Sequence, residues 1–115
     1  MIGWFRYYFA DDAVWLHYEV DDEGWVNRQV DLAGADLRPV TAASLTEVMR
    51  ARDNGGADAV IAYESRFGVL AEGQGEWDDW RGLPGVEEIT AEEFERIWAA
   101  ARDELEKRRP AGCGN

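Results

Sequence analysis

Few side chains in this sequence could perform nucleophilic or metal chemistry. His17 is the single histidine and Cys113 the single cysteine, and Cys113 falls in a short glycine-rich tail that cannot hold it in an attack geometry. Ser44 and Ser65 lie in no nucleophile-elbow motif, and one cysteine with one histidine cannot supply the four ligands of a zinc centre. We therefore expect no catalytic triad, no metal and no enzyme activity, with His17 as a partly exposed strand residue.

Paired carboxylates are the other candidates for chemistry. Asp78 and Asp79 lie between Trp77 and Trp80, and aromatic rings beside two carboxylates are typical of sites that bind or cleave sugars. A small domain with one sheet has little room for a deep cleft, so sugar cleavage is the less favoured interpretation. A carboxylate-only site for Mg²⁺ or Ca²⁺ is an open alternative at Asp78-Asp79 or at 21–23, but neither segment has calcium-loop spacing and both are expected to be solvated. We expect no cofactor.

Composition and charge limit the class of protein. The chain has 115 residues and a net charge of −12, from 12 Lys+Arg against 24 Asp+Glu, which repels phosphate backbones and excludes nucleic acid as a partner. No apolar run approaches the roughly 20 residues that span a bilayer. The first ten residues lack a basic region and a cleavage site, which predicts a cytoplasmic protein. We expect one domain over 1–109 and a disordered tail over 110–115.

The elements that must position these side chains begin with three strands. Apolar residues alternate with period two over 2–32, interrupted at Asp11-Asp12 and at 21–24, which predicts an antiparallel meander. Gly24 in the left-handed position of a type I turn with a G1 bulge fixes the second register. The two turns predict these cross-strand pairs: Phe9 with Val14, Tyr7 with Leu16, Phe5 with Tyr18, Val20 with Val26, Tyr18 with Arg28, Leu16 with Val30, and Val14 with Leu32.

Three helices are expected after the strands. Gly34, Asp36 and Pro39 indicate a connection, and a capping box from Ser44 to Glu47 then predicts a short helix that 54–56 ends. A second short helix is predicted over 58–67, although part of this segment could also be a strand. Residues 71–86 are expected to form a long loop.

The third helix is the most strongly specified. Thr90 and Glu93 form a capping box, and Ile89 with Phe94 has the spacing of a hydrophobic staple. An apolar stripe follows at helical spacing and is expected to pack on the apolar face of the sheet: Phe94, Ile97, Trp98, Ala101 and Leu105. The predicted fold is thus α+β, with a three-stranded antiparallel meander, two short helices and a long C-terminal helix packed on one sheet face.

The predicted register leaves an aromatic and polar face on the other side of the sheet. Tryptophan, tyrosine and arginine are enriched at binding hot spots, so we interpret this face, with the segment 77–80, as the candidate binding site. The candidate binding residues are Trp4, Arg6, Tyr8, Trp15, His17, Trp25, Asn27, Gln29, Trp77, Asp78, Asp79 and Trp80. In the alternative, the helix after Ser44 or the 77–80 loop covers the face and makes it a second core.

Arg28 has two possible roles on the apolar side of the predicted sheet. A structural ion pair with Glu93 or Glu95 of the last helix is the expected one. If no acid lay near it, Arg28 would instead be a candidate to anchor a ligand.

Two segments carry a resemblance. Residues 15–30 read WLHYEVDDEGWVNRQV, and residues 87–98 read EEITAEEFERIW. In these segments the chain resembles a group of small, acidic, uncharacterised bacterial proteins with the patterns Y-E-[VIL]-D-x-x-G-W-x-x-R and E-I-[ST]-x-E-E-F-E. Such proteins are described mainly as domains of unknown function, and similar stand-alone acidic domains include immunity proteins that neutralise toxins. The resemblance brings no catalytic residues and does not cover 33–86.

Two functions from different classes follow. The first is a non-catalytic domain that binds another, basic protein, as an inhibitor or immunity protein of a toxin or enzyme, because a strongly negative domain associates fast with a cationic partner. The alternative is a small-ligand or carbohydrate-binding module that uses Trp4, Trp15 and Trp25, with Trp77 or Trp80 as a further candidate, as stacking platforms. The sequence does not predict the oligomeric state.

Overall fold

The computed structural model describes residues 2–71 and 84–108 of the chain. The elements in chain order are β1 Gly3–Phe9, β2 Val14–Val20, β3 Val26–Ala33, β4 Arg38–Ser44, α1 Leu45–Phe67, β5 Glu87–Glu88 and α2 Ala91–Lys107. The strands form one antiparallel sheet in the order β4-β3-β2-β1-β5. The fold is therefore α+β, as predicted, and the described residues form a sheet of five strands and two helices. In the described part of the chain, no helix is long and apolar enough to cross a membrane.

The sheet extends the predicted meander by one strand on each side. The connection predicted at Gly34, Asp36 and Pro39 is a turn only over 34–37. From Arg38 the prediction was wrong, because β4 runs antiparallel to β3 with Val30 opposite Ala42. Pro39 is tolerated because β4 is an edge strand, and small residues such as Ala42 and Ala43 hide the alternation that reveals a strand. β5 is only two residues long and pairs with Phe5 and Arg6, too short for any pattern.

The registers set by the two predicted turns are confirmed near those turns. Phe9 lies opposite Val14, and Phe5 lies opposite Tyr18. Gly24 has a φ of 84°, Asp21 N donates to the Trp25 carbonyl at 3.0 Å, and Val20 lies opposite Val26. Local turn chemistry therefore specified both hairpins.

A bulge one residue beyond the second turn changes the register of β3. Glu19 lies opposite Arg28, while Val20 lies opposite Val26, so Asn27 is an extra residue on β3. Because successive side chains alternate between faces, one extra residue turns the rest of the strand over. The predicted pairs Tyr18 with Arg28, Leu16 with Val30, and Val14 with Leu32 are wrong for this reason.

The sheet consequently has two faces that differ from the predicted ones. The helix face carries Trp4, Arg6, Tyr8, Trp15, His17, Glu19, Arg28, Val30, Leu32 and Ala42, and the opposite face carries Phe5, Tyr7, Phe9, Val14, Leu16, Tyr18, Gln29, Asp31, Thr41 and Ala43. Helix α2 packs on the helix face, where Val30, Ala42, Phe94, Ala101 and Leu105 form the buried cluster. The last helix is thus on the face that was predicted to be free, although it meets the predicted residues of β3.

Both predicted N-caps are present, although Ser44 N donates to the Tyr63 hydroxyl and not to Glu47. The first two predicted helices are joined. The Ser44 hydroxyl accepts from Glu47 N at 3.4 Å, and the Thr90 hydroxyl accepts from Glu93 N at 3.1 Å. Helix α1 continues from Leu45 to Phe67 across a kink at Gly56, whose φ of 68° and ψ of −156° are not helical. The segment 58–67 is helical, so the predicted helix is confirmed and the alternative of a strand is wrong.

Candidate functional site

The predicted aromatic binding face does not exist as one surface. Trp4 packs against the core under α2, and His17 and Glu19 are buried on the same face. Asn27, Gln29 and Asp31 do not share that face, because the bulge places β3 differently. Trp25 lies in the second turn, where 48 % of its surface is exposed. The candidate residues Trp77, Asp78, Asp79 and Trp80 lie outside the described residues. Trp4, Trp15 and Trp25 therefore do not form a common stacking platform.

Glu19 is the centre of a polar network between the sheet and α2. It accepts from Arg28 Nη2 at 2.7 Å, from Arg28 Nε at 2.9 Å and from the Trp4 indole nitrogen at 3.0 Å. Arg28 also donates to both carboxylate oxygens of Glu95, and its guanidinium lies about 5 Å from the ring centres of Phe94 and Trp98. The hydrogen bond with Glu19 raises the pKa of Arg28. Arg28 thus forms the expected structural ion pair with Glu95 of α2 and a second one with Glu19 of β2. These pairs link α2 to the sheet.

His17 is placed as a structural residue. It is 3 % exposed, which corrects the expectation of a partly exposed side chain. Its Nδ1 lies 3.2 Å from the Val30 carbonyl oxygen, so Nδ1 carries the proton and donates it there. Burial lowers the pKa of His17 against the opposing effect of this hydrogen bond. The imidazole is neutral at pH 7 and links β2 to β3.

Near the first turn, the helix face carries aromatic and polar side chains at the surface, as predicted. The Arg6 guanidinium lies 5.1 Å from the Trp15 ring centre and pairs with Glu87 at 3.3 Å. The Tyr8 ring centre is 5.1 Å from that of Trp15, and Tyr8 is 43 % exposed. Tyr8 and Trp15 therefore reach the surface at the end of the sheet.

Two tight turns meet at that end. The β1–β2 turn at 10–13 and the β3–β4 turn at 34–37 are adjacent because β2 pairs with β3, and Gly34 N donates to the Ala13 carbonyl at 2.9 Å. Ala13 and Leu37 both have a φ of 54°, which is uncommon for residues with a side chain. We call residues 8–13 and 34–37 the double-turn end.

The double-turn end exposes apolar and acidic side chains side by side. Phe9 is 37 % exposed and Leu37 is 49 % exposed. Asp11, Asp12 and Asp36 are exposed, and none of the three forms an ion pair with a described residue. By contrast, Asp21 of the other acidic turn accepts from two backbone N–H groups, which gives that carboxylate a structural role.

The opposite face of the sheet contains an apolar pocket. Its volume is about 500 Å³, and its described lining consists of Phe5, Arg6, Tyr7, Leu16, Tyr18, Pro84 and Val86. The chain from Pro84 to Val86 forms one wall, and Gly85 takes a φ of 81° beside the Tyr7 ring. Pockets of this size with mainly apolar walls are typical sites for small molecules.

A partly buried carboxylate lies next to this pocket, across the sheet from one of its lining residues. Asp31 lies opposite Leu16 on the same face and accepts from Gln29 Nε2 at 3.0 and 3.1 Å. Burial raises the pKa of Asp31, while hydrogen bonds from Gln29 and Thr41 act against that rise. Burial and the charge of Asp31 raise the pKa of Tyr18 to about 12. At neutral pH the Tyr18 phenol that lines the pocket is therefore protonated.

A second polar cluster joins α1 to α2. Arg102 donates to Glu47, to the Ala42 carbonyl at 2.9 Å and to the Tyr63 hydroxyl at 2.9 Å. Tyr63 donates to Glu47 at 2.6 Å. Burial alone would raise the pKa of Glu47, but hydrogen bonds from Arg102 and Tyr63 lower it overall. Every polar group in this cluster has a partner, so its role is structural.

Fold and site together define a small α+β domain with a pocket and an acidic, apolar surface end. Among the described residues, no group of three or more His, Cys, Asp or Glu side chains could hold a metal ion. No family model matches the chain, and no curated protein or solved structure shows significant similarity to it. The resemblance to uncharacterised acidic bacterial domains therefore stays a prediction.

Sequence reasoning missed the residues that form the pocket and the double-turn end. The last helix was expected to cover the side chains Phe5, Tyr7, Phe9, Leu16 and Tyr18. One feature of the sequence could have indicated this, namely that β1 and β2 carry aromatic residues on both faces. Such a pattern is compatible with a helix packing on either face of the sheet.

Proposed function

We propose that this protein is a non-catalytic binding domain whose partner is a basic protein. The observation that carries the proposal is the double-turn end, where exposed Phe9 and Leu37 lie beside the carboxylates Asp11, Asp12 and Asp36, which pair with no described residue. Apolar side chains that exclude water at the centre of an interface, with charges at its rim, are the arrangement that gives affinity and selects a partner.

The charge of the whole chain supports a cationic partner. A net charge of −12 attracts positively charged proteins at distances up to about 10 Å at 0.1 M salt and repels acidic ones. The rigid support of the double-turn end by the β2–β3 pairing suits binding, because little order is lost when the partner docks. An inhibitor or immunity protein for a basic toxin or enzyme is the form of this function that we favour.

The experiment is a two-hybrid screen against a genomic library of the source organism, followed by titration calorimetry with each purified partner. The test variant is Asp11→Lys/Asp12→Lys. The control is Glu23→Lys/Glu92→Lys, which makes the same change in net charge at the other end of the sheet. We expect a basic partner whose Kd weakens more than about tenfold with the test variant and much less with the control.

Phe9→Ala provides a second measurement that does not alter the charge. It should weaken binding by about 1 to 2 kcal/mol if Phe9 is part of the interface. Partners that are not basic would contradict the proposed class of partner. Equal weakening by the test and control variants would show that the double-turn end is not the binding surface.

A further inference from the structure

We propose that the pocket on the opposite face binds a small organic ammonium ion, with its hydrocarbon part between the aromatic walls and its charge beside Asp31. This site lies on the sheet face away from α2 and is independent of protein binding at the double-turn end.

The walls of the pocket determine the body of the ligand. Phe5, Tyr7 and Leu16 form the floor, and Pro84 and Val86 close one side. A volume of about 500 Å³ accommodates a molecule with one ring or a short branched chain. Apolar walls favour such a body because its burial removes hydrocarbon surface from water.

Asp31 determines the charge of the ligand. Its partners among the described residues are neutral, namely the Gln29 amide and the Thr41 hydroxyl, and no described Lys or Arg forms an ion pair with it. A partly buried carboxylate whose described partners are all neutral favours a cation beside it. An ammonium group there would supply a countercharge that the described residues do not.

The aromatic rings and the net charge favour a cation further. The rings of Tyr7 and Tyr18 lie on the same face as Asp31, and the face of a phenol ring attracts ammonium groups. Arg6 contributes to the edge of the pocket, but its guanidinium lies over Trp15 on the helix face and pairs with Glu87. The chain's charge of −12 raises the local concentration of cations around the domain.

The test uses phenethylammonium as the probe, followed by the methyl resonances of Leu16 and Val86 in NMR titrations. We expect saturable shifts with a Kd of about 1 mM or tighter. The neutral analogue 2-phenylethanol should bind at least about tenfold more weakly, and the anion 3-phenylpropionate should bind more weakly still.

Two variants and a control locate the charge and the cavity. Asp31→Asn should weaken phenethylammonium binding by about tenfold or more and remove the preference over the neutral analogue. Asp36→Asn makes the same charge change at the double-turn end and should bind as the wild type does. Val86→Trp fills the pocket without altering Asp31 and should abolish binding of both compounds, which keeps the test informative if Asp31→Asn fails to fold.

Four results would overturn the proposal. Three are the absence of saturable shifts up to about 10 mM phenethylammonium, equal affinity for the ammonium and its neutral analogue, and unchanged binding by Val86→Trp. The fourth is undiminished binding by a folded Asp31→Asn protein.

Discussion

Glu19 shows how a buried charge is made acceptable at a single position. It lies under α2 and accepts hydrogen bonds from Trp4 and Arg28. The two hydrogen bonds between Arg28 and Glu19 hold the carboxylate in fixed geometry, and Glu95 binds the remaining donors of Arg28. The network therefore depends on all members being present.

Removing the cation of this network should be strongly destabilising. Arg28→Met leaves Glu19 charged and buried with one donor, so the free energy of unfolding should fall by about 2 to 4 kcal/mol. The double variant Glu19→Gln/Arg28→Met removes both charges and should be more stable than Arg28→Met alone. Urea denaturation of the three proteins measures both differences. A loss below about 1 kcal/mol for Arg28→Met would contradict this account.

His17 should make stability depend on pH in the weakly acidic range. Its pKa in the folded chain lies below the ordinary value of 6.5 because of burial. As pH falls through about 6.5, His17 is protonated in the unfolded chain but stays neutral in the folded chain. The free energy of unfolding therefore decreases. His17→Asn retains a donor for the Val30 carbonyl but does not titrate.

The comparison of these two proteins isolates the effect. When the pH is lowered from about 7.5 to about 5, the free energy of unfolding should fall less for His17→Asn than for the wild type. Guanidinium denaturation at both pH values measures the difference. If the two proteins lose stability in parallel, His17 is not responsible for the pH dependence.

At the scale of elements, two glycines control the path of α1 and its exit. Gly56 at the kink and Gly68 at the C-terminal end have φ values of 68° and 88° with ψ values of −156° and 176°. This region of backbone conformation is essentially restricted to glycine. The first glycine bends α1, and the second directs the chain toward the opposite face of the sheet.

Alanine at these two positions should have unequal effects. A Cβ at Gly56 meets nothing within 4 Å, so Gly56→Ala should cost only the backbone strain of about 1 to 3 kcal/mol. A Cβ at Gly68 would lie 2.8 Å from the Thr41 Cβ, so Gly68→Ala should cost more because a clash adds to the strain. Thermal unfolding followed by circular dichroism tests the order, and equal losses would contradict it.

At the scale of the whole molecule, the excess of acid opposes the compact state. The described ion pairs at the surface, such as Lys107 with Asp103 at 2.9 Å, contribute little each. The net charge of −12 produces self-repulsion that salt screens. Raising NaCl from about 10 mM to about 300 mM should therefore increase the Tm by a few degrees.

The double variant Glu23→Lys/Glu92→Lys provides a control for this prediction. It lowers the net negative charge by four, so its Tm should respond less to the same salt change. A Tm that falls with salt would show that attractive ion pairs outweigh the repulsion. Scanning calorimetry at matched protein concentration makes the measurement.

The sequence by itself determined the features that depend on neighbouring residues. The turn at Gly24, the register of β1 with β2, and the starts of both helices at Ser44 and Thr90 follow from turn and capping chemistry within a few positions. The acidic character and the α+β class also follow from composition and periodicity. These features are local, and local free energies do not require knowledge of what packs above the sheet.

The tertiary structure alone decided which face of the sheet α2 covers. Strands β1 and β2 carry aromatic side chains on both faces, so their alternation is compatible with either choice. The bulge at Asn27 places Arg28 beside Glu19 and Glu95, and Val30 beneath Phe94 and Ala101, contacts between residues far apart in the chain. Those contacts bury the predicted binding face around Trp4 and His17 and leave the pocket beside Asp31 on the other side.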